Sequence, residues 1–232
     1  MDKAEFDRFA DAYYDQHREN VAVTGESPEY FAEYKIRQLR QIVAREQVGV
    51  SRICDFGSRD RQFHSVLPKI LSGCGADIVQ TSRSAASRWA NSVTPATATT
   101  VLIEDSRIPC EAGAFDVAFS ACVFHHIPHE EHVTWLKELH RITRAGGLIA
   151  IFEHNPLNPL TVHAVNTCPF DENAKLIFAR SLAKRLSAAG WASPRIQYNL
   201  FFPRGLAGLR PLEAGLGWLP LGAQYVAFAR KA

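Results

Sequence analysis

The segment His125-His126-Ile127-Pro128-His129-Glu130-Glu131-His132 gathers four imidazoles, and His154 follows later between Glu153 and Asn155. Imidazole titrates near neutrality, so these groups could take a proton from a hydroxyl or amine, or ligate a metal. The spacing argues against a metal. A zinc-protease helix needs His-Glu-x-x-His with both rings one turn apart. Here His129 and His132 fall at a helix start, with His125 and His126 on the turn before it. No cysteine or carboxylate cluster accompanies them, so no metal is expected. That leaves proton transfer, with His154, His126 and His125 as catalytic candidates. His154 leads, because Glu153 and Asn155 flank it with orienting groups.

The second stretch with chemical content runs from Val50 to Phe63. Its apolar run ends in Asp55-Phe56-Gly57, which predicts a buried strand breaking into a loop. Phe63, Val66, Leu67, Ile70 and Leu71 then follow the i, i+3, i+4, i+7, i+8 pattern of one buried helical stripe. Strand, loop and helix in that order form a nucleotide-site layout, in which backbone must approach the ligand closely. Of the glycines usual in such loops, only Gly57 is present.

The elements that must position these residues repeat the same unit. Ala76 to Thr81, Thr99 to Ile103, Phe115 to Val123, and Leu148 to Phe152 read as further strands. Ser84 to Ala90 reads as a short helix, and Pro128 to Arg144 as a longer one stopped by Gly146-Gly147. Asn155 to Phe170, with three prolines, reads as a loop-rich excursion, and Ser181 as the cap of a helix ending at Gly190. Arg195 to Phe202 and Gln224 to Ala229 supply the last strands. Alternating strands and helices predict a doubly wound α/β sheet, with ligands in the crevice beyond the strand ends.

Ahead of the first strand, Phe6, Phe9, Ala10, Tyr13 and Tyr14 predict an amphipathic helix over residues 3–17. Ser27-Pro28 then supplies an N-cap and first-turn proline for a helix to about Gln47. Residues 1–48 are thus a helical cover on a core spanning 49–232, in one domain. Tyr30, Tyr34 and Lys35 lie on the second cover helix, whose amphipathic rings suit the roof of a half-wet pocket. With Asn155 they are the candidate substrate contacts.

The chain has 232 residues, 47% of them apolar, and a net charge of +2. That charge leaves no footprint for a nucleic-acid or membrane partner and points to a small-molecule substrate. The amino terminus lacks a signal-peptide pattern, and the five cysteines are odd in number and widely spaced. Free thiols in the cytoplasm are expected.

The strings Phe115-Asp116-Val117-Ala118-Phe119-Ser120, Val123-Phe124-His125-His126-Ile127-Pro128, Leu139-His140-Arg141-Ile142 and Phe152-Glu153-His154-Asn155-Pro156-Leu157-Asn158-Pro159-Leu160-Thr161 carry a resemblance. Glu29 to Lys35 and Pro220 to Tyr225 extend it over nearly the whole chain. Together they resemble the class I methyltransferases that use S-adenosylmethionine, in the small-molecule branch met in natural-product and sugar pathways.

The resemblance implies a Rossmann-like, seven-stranded sheet of methyltransferase type with the last strand antiparallel. It also implies O- or N-methylation of a small polar metabolite. The implied cofactor contacts are Tyr14, Asp55, Gly57, Arg59, Thr81, Asp105, Ser106 and Ala121. The family loop reads Asp-x-Gly-x-Gly-x-Gly, and Arg59 and Arg61 replace its second and third glycines. Thr81 stands where the family places a ribose-binding acid. A second reading therefore stays open: a degenerate fold that has lost the cofactor, acting as a repurposed catalyst or as the partner of an active homologue. A homodimer or such a heteromer is open on either reading.

Overall fold

The computed structural model describes residues 21, 24–57, 77–82, 98–103 and 106–232. The helices expected over 3–17, 62–71 and 84–90 lie outside these residues, as do Tyr14, Arg59, Arg61 and Asp105.

Among the described residues, seven strands form one sheet: β1 (Arg52–Phe56), β2 (Asp77–Ser82), β3 (Ala98–Leu102), β4 (Phe115–Ala121), β5 (Thr143–His154), β6 (Ala192–Asn199) and β7 (Gln224–Arg230). Their order is β3-β2-β1-β4-β5-β7-β6. The first five run parallel, and β7 is antiparallel to both β5 and β6. The strand opening the nucleotide-type loop is therefore interior, between β2 and β4.

Both faces of the sheet are covered, which is why its middle strands are apolar without alternation. On one face lie Ile53, Val117, Phe119, Leu148, Ala150 and Phe152, packed with Ala32, Ile36, Leu39 and Ile42 of helix α1 (Pro28–Arg45). On the other lie Cys54, Phe56, Ala118, Ile149 and Ile151. These meet Trp135, Leu136, Leu139 and Ile142 of α2 (His132–Ile142).

The local differences from expectation have physical causes. Ser27 sits at the N-cap of α1 in extended backbone but makes no side-chain cap bond, so the first-turn proline sets that start. Helix α2 ends at Ile142 and the chain passes straight into β5. The Gly146-Gly147 pair serves the strand entry instead. A Cβ at Gly147 would lie 2.6 Å from Thr143 Cγ2 and 2.8 Å from the Asp116 carbonyl oxygen. The segment after β5 is not only loop: it carries α3 (Pro159–Thr167), whose N-cap Asn158 accepts the Thr161 N–H. Ser181 lies inside α4 (Ala179–Ala188), which starts after Phe178 without a side-chain cap. Strand β6 begins and ends three residues before the expected Arg195 to Phe202.

Candidate active site

Because β1, β4 and β5 are parallel, their carboxyl ends share one sheet edge, and the strand order reverses direction between β1 and β4. A crevice at such a point is where open α/β sheets bind ligands. Phe56 and Gly57, Ala121 and Cys122, and His154 all arrive there.

On the β1 side Asp55 is 2% exposed at the strand end. Gly57 follows at φ 77, and a Cβ there would stand 2.5 Å from Val123 Cγ1, so both backbone and packing require glycine. Its N–H donates to Thr81 Oγ1 at 3.1 Å. Thr81 is fully buried, and its hydroxyl oxygen holds the loop. Ala121 is half-buried at the end of β4, and Cys122 after it turns left-handed at φ 55. Ser106 is exposed and also left-handed, at φ 59.

The histidines lie on the β4 and β5 side. Strand alternation puts Glu153 on the same face as Ile149 and Ile151, under the 3-10 turn Phe124–His126. His125 Nδ1 stands 2.6 Å from Glu153 Oε2. Glu153 Oε1 accepts the N–H groups of Val123 at 3.1 Å and Phe124 at 2.8 Å. From a separate turn, Pro169–Asp171, the Asp171 carboxylate comes to 3.3 Å from His126 Nε2 and 3.7 Å from His125 Nε2. The His125 ring is 4.2 Å from that of His126 and 5.2 Å from that of His154, centre to centre.

These contacts divide the charge states. Burial alone would drive His125 neutral, but Glu153 and Asp171 outweigh it and raise the ring to about 10. Burial pushes both carboxyls up, and the histidines pull each below its ordinary range. His154 has no carboxylate so close: burial, reinforced by the His125 charge, lowers it to about 4. At neutral pH His125 is thus a cation between two carboxylates and His154 a neutral ring. Sequence reasoning grouped these histidines but missed Asp171, which no local pattern ties to them.

The other two histidines of the string are structural. His132 is buried, with Nε2 at 3.0 Å from the Ile127 carbonyl and Nδ1 at 2.6 Å from Arg185 Nη1. His129 Nε2 faces the Lys175 carbonyl at 3.2 Å.

Of the expected substrate contacts, Lys35 is 6% exposed, and its charge acts on both Cys122 and His154. The two tyrosines face the carboxyl-terminal segment. Tyr34 donates to Glu213 at 3.2 Å, and Arg210 lies over the Tyr30 ring at 4.7 Å. Asn155 is buried and commits its amide to backbone: Nδ2 donates to the Pro220 and Gly222 carbonyls, and Oδ1 accepts the Leu157 N–H. It tethers the loop before β7.

Residues 54–151 match the methyltransferase domain family. Among solved structures, an S-adenosylmethionine-dependent methyltransferase from Thermotoga maritima, described as a possible histamine N-methyltransferase, is 16% identical. It aligns over 99% of both chains with a TM-score of 0.64. One from Archaeoglobus fulgidus is 12% identical over 88% of this chain and 95% of its own, with a TM-score of 0.63. The methyltransferase CalH, solved with S-adenosylhomocysteine, is 19% identical over 88% of this chain and 59% of its own, at 0.59. No curated protein matches the sequence significantly. The domain match runs from within β1 to within β5, the strands that build the crevice, and the fold is that of S-adenosylmethionine-dependent methyltransferases.

Proposed function

We propose that the protein transfers a methyl group from S-adenosylmethionine to an oxygen or nitrogen of a small polar metabolite. One observation carries the reading: the Asp55-Phe56-Gly57 strand end and the histidine cluster stand on parallel strands at one sheet edge. The residues present fit the cofactor in part. Asp55 keeps the loop acid of the family, and the Thr81 hydroxyl can donate to a ribose oxygen although it brings no charge. When bound, the cofactor supplies an electrophilic methyl on a sulfonium.

The chain's own groups do the rest. His154, neutral down to about 4, accepts a hydrogen bond from the substrate hydroxyl or amine and orients it. So weak a base takes the proton only as the new bond to carbon forms and the acidity of that group rises. Positioning then carries most of the rate. Incubation with methyl-labelled S-adenosylmethionine and pooled hydroxylated and amino metabolites should label a small product, and His154→Ala should slow labelling roughly 100-fold or more. No labelled product from any pool, with the cofactor shown to bind, would count against the reading.

A second reading is favoured by Arg59 and Arg61 at two glycine positions of the loop. A side chain forced into left-handed backbone costs roughly 1–2 kcal/mol. A guanidinium about 5 Å from a sulfonium adds roughly 3 kcal/mol of repulsion at an effective dielectric of 20. Together these could turn micromolar binding into millimolar. If they obstruct the site, Arg59→Gly with Arg61→Gly tightens S-adenosylmethionine binding by a factor of roughly 10 to 1000. If they contact the cofactor's carboxylate, the double variant binds it no better or worse.

A further inference from the structure

Two rings adjacent in sequence point to opposite sides on a strand. The turn Phe124–His126 instead brings the Nε2 atoms of His125 and His126 to one oxygen, Asp171 Oδ1, at 3.7 and 3.3 Å. The three donor atoms lie within 4.8 Å of one another. Around a divalent ion with bonds of about 2.0–2.2 Å, neighbouring ligand atoms stand roughly 3 to 4.2 Å apart. The observed spacing therefore needs little rearrangement to enclose an ion.

The far side of His125 is built in the same sense. Its Nδ1 is held at 2.6 Å by Glu153, which is in turn fixed by the Val123 and Phe124 N–H groups. A carboxylate on the outer nitrogen of an imidazole fixes the ring and turns the other nitrogen toward a metal, and a bound cation takes the place of the proton that His125 otherwise carries on Nε2. Glu153 is completely buried, so it cannot reach solvent, and its Oε2 serves the ring while its Oε1 serves the two backbone donors. His126 and Asp171, with side chains 10% and 11% exposed, form the open side.

We propose that His125, His126 and Asp171 form a site for one first-row divalent cation, with open positions that take an oxygen of the substrate. Two imidazoles and a carboxylate are the donor set of zinc, manganese and iron sites that keep positions open, whereas magnesium and calcium favour all-oxygen cages. The sequence pointed away from a metal because the third donor comes from a distant turn. The cation site stands on this geometry alone, while its use by substrate rests on the methyl-transfer reading above.

The test is titration of the chelator-treated full-length protein with Zn²⁺ by calorimetry and with Co²⁺ by visible absorption. One saturable equivalent is expected, with a ligand-field band for Co²⁺ and a raised melting temperature with Zn²⁺. Asp171→Asn and His126→Gln should each weaken binding by roughly 100-fold or more, and Glu153→Gln by roughly 10- to 100-fold. His163→Gln, at an exposed position of α3, should leave it unchanged. If a variant fails to fold, those that fold decide. No saturable binding by the native protein, or binding that survives both Asp171→Asn and His126→Gln, would overturn the site. None of these readouts involves methyl transfer, so metal binding without any affinity for S-adenosylmethionine would refute the functional reading and leave this one standing.

Discussion

Single residues set both the loop and the charges around it. Gly57→Ala would place a methyl 2.5 Å from Val123 Cγ1 at a φ of 77. The left-handed backbone alone costs roughly 1–2 kcal/mol. Denaturant titration should show at least that loss, with weakened cofactor binding, since the loop would shift to relieve the contact. Asp116 accepts the Ser51 and Arg52 N–H groups and, at 2.5 Å, Arg144 Nε. Burial pushes this carboxyl up, but Arg144 and the two backbone donors outweigh it and hold it below its ordinary 3.8. A depressed folded pKa contributes stability above the unfolded value, which is lost as pH falls through the folded one. The stability advantage of the native chain over Asp116→Asn should therefore be full near neutral pH and shrink below about pH 4. At this scale the sequence showed which groups could react but not what charge they carry. His125 and His154 look alike in the chain, but Glu153 and Asp171 make the first a cation, while burial and the charge on His125 leave the second neutral.

At the scale of elements, the periodic segment that forms α2 was legible and the capped one that forms α3 was not. The stripe Leu136, Leu139 and Ile142 on α2 is buried as its spacing requires. Leu139→Ala should cost about 2–5 kcal/mol in chemical denaturation, the range for an emptied leucine site in a core. Helix α3 escaped because three prolines between Asn155 and Phe170 suggested loop. Asn158-Pro159 is in fact a cap followed by a first-turn proline, with the Asn158 side chain accepting the Thr161 N–H at 3.0 Å. Asn158→Ala should destabilise the protein by about 1 kcal/mol. A change below a few tenths in the denaturation free energy would show that the proline alone sets this start. The excursion thus carries a helix and then the turn that delivers Asp171 to the histidines.

For the whole molecule, the alternation of strands and helices sufficed to predict a doubly wound sheet, and the apolar run ending at Asp55 lies inside it as β1. Topology then brings Gly57, Cys122 and His154 to one edge, and that convergence could not be read from local pattern. The central claim is that this edge binds S-adenosylmethionine. Calorimetric titration of the purified chain with S-adenosylmethionine and S-adenosylhomocysteine tests it most directly. Saturable one-to-one binding with Kd of about 1 to 100 µM, or roughly −8 to −5.5 kcal/mol, is expected. Heat that does not saturate with either ligand by about 1 mM, roughly −4 kcal/mol, would contradict it.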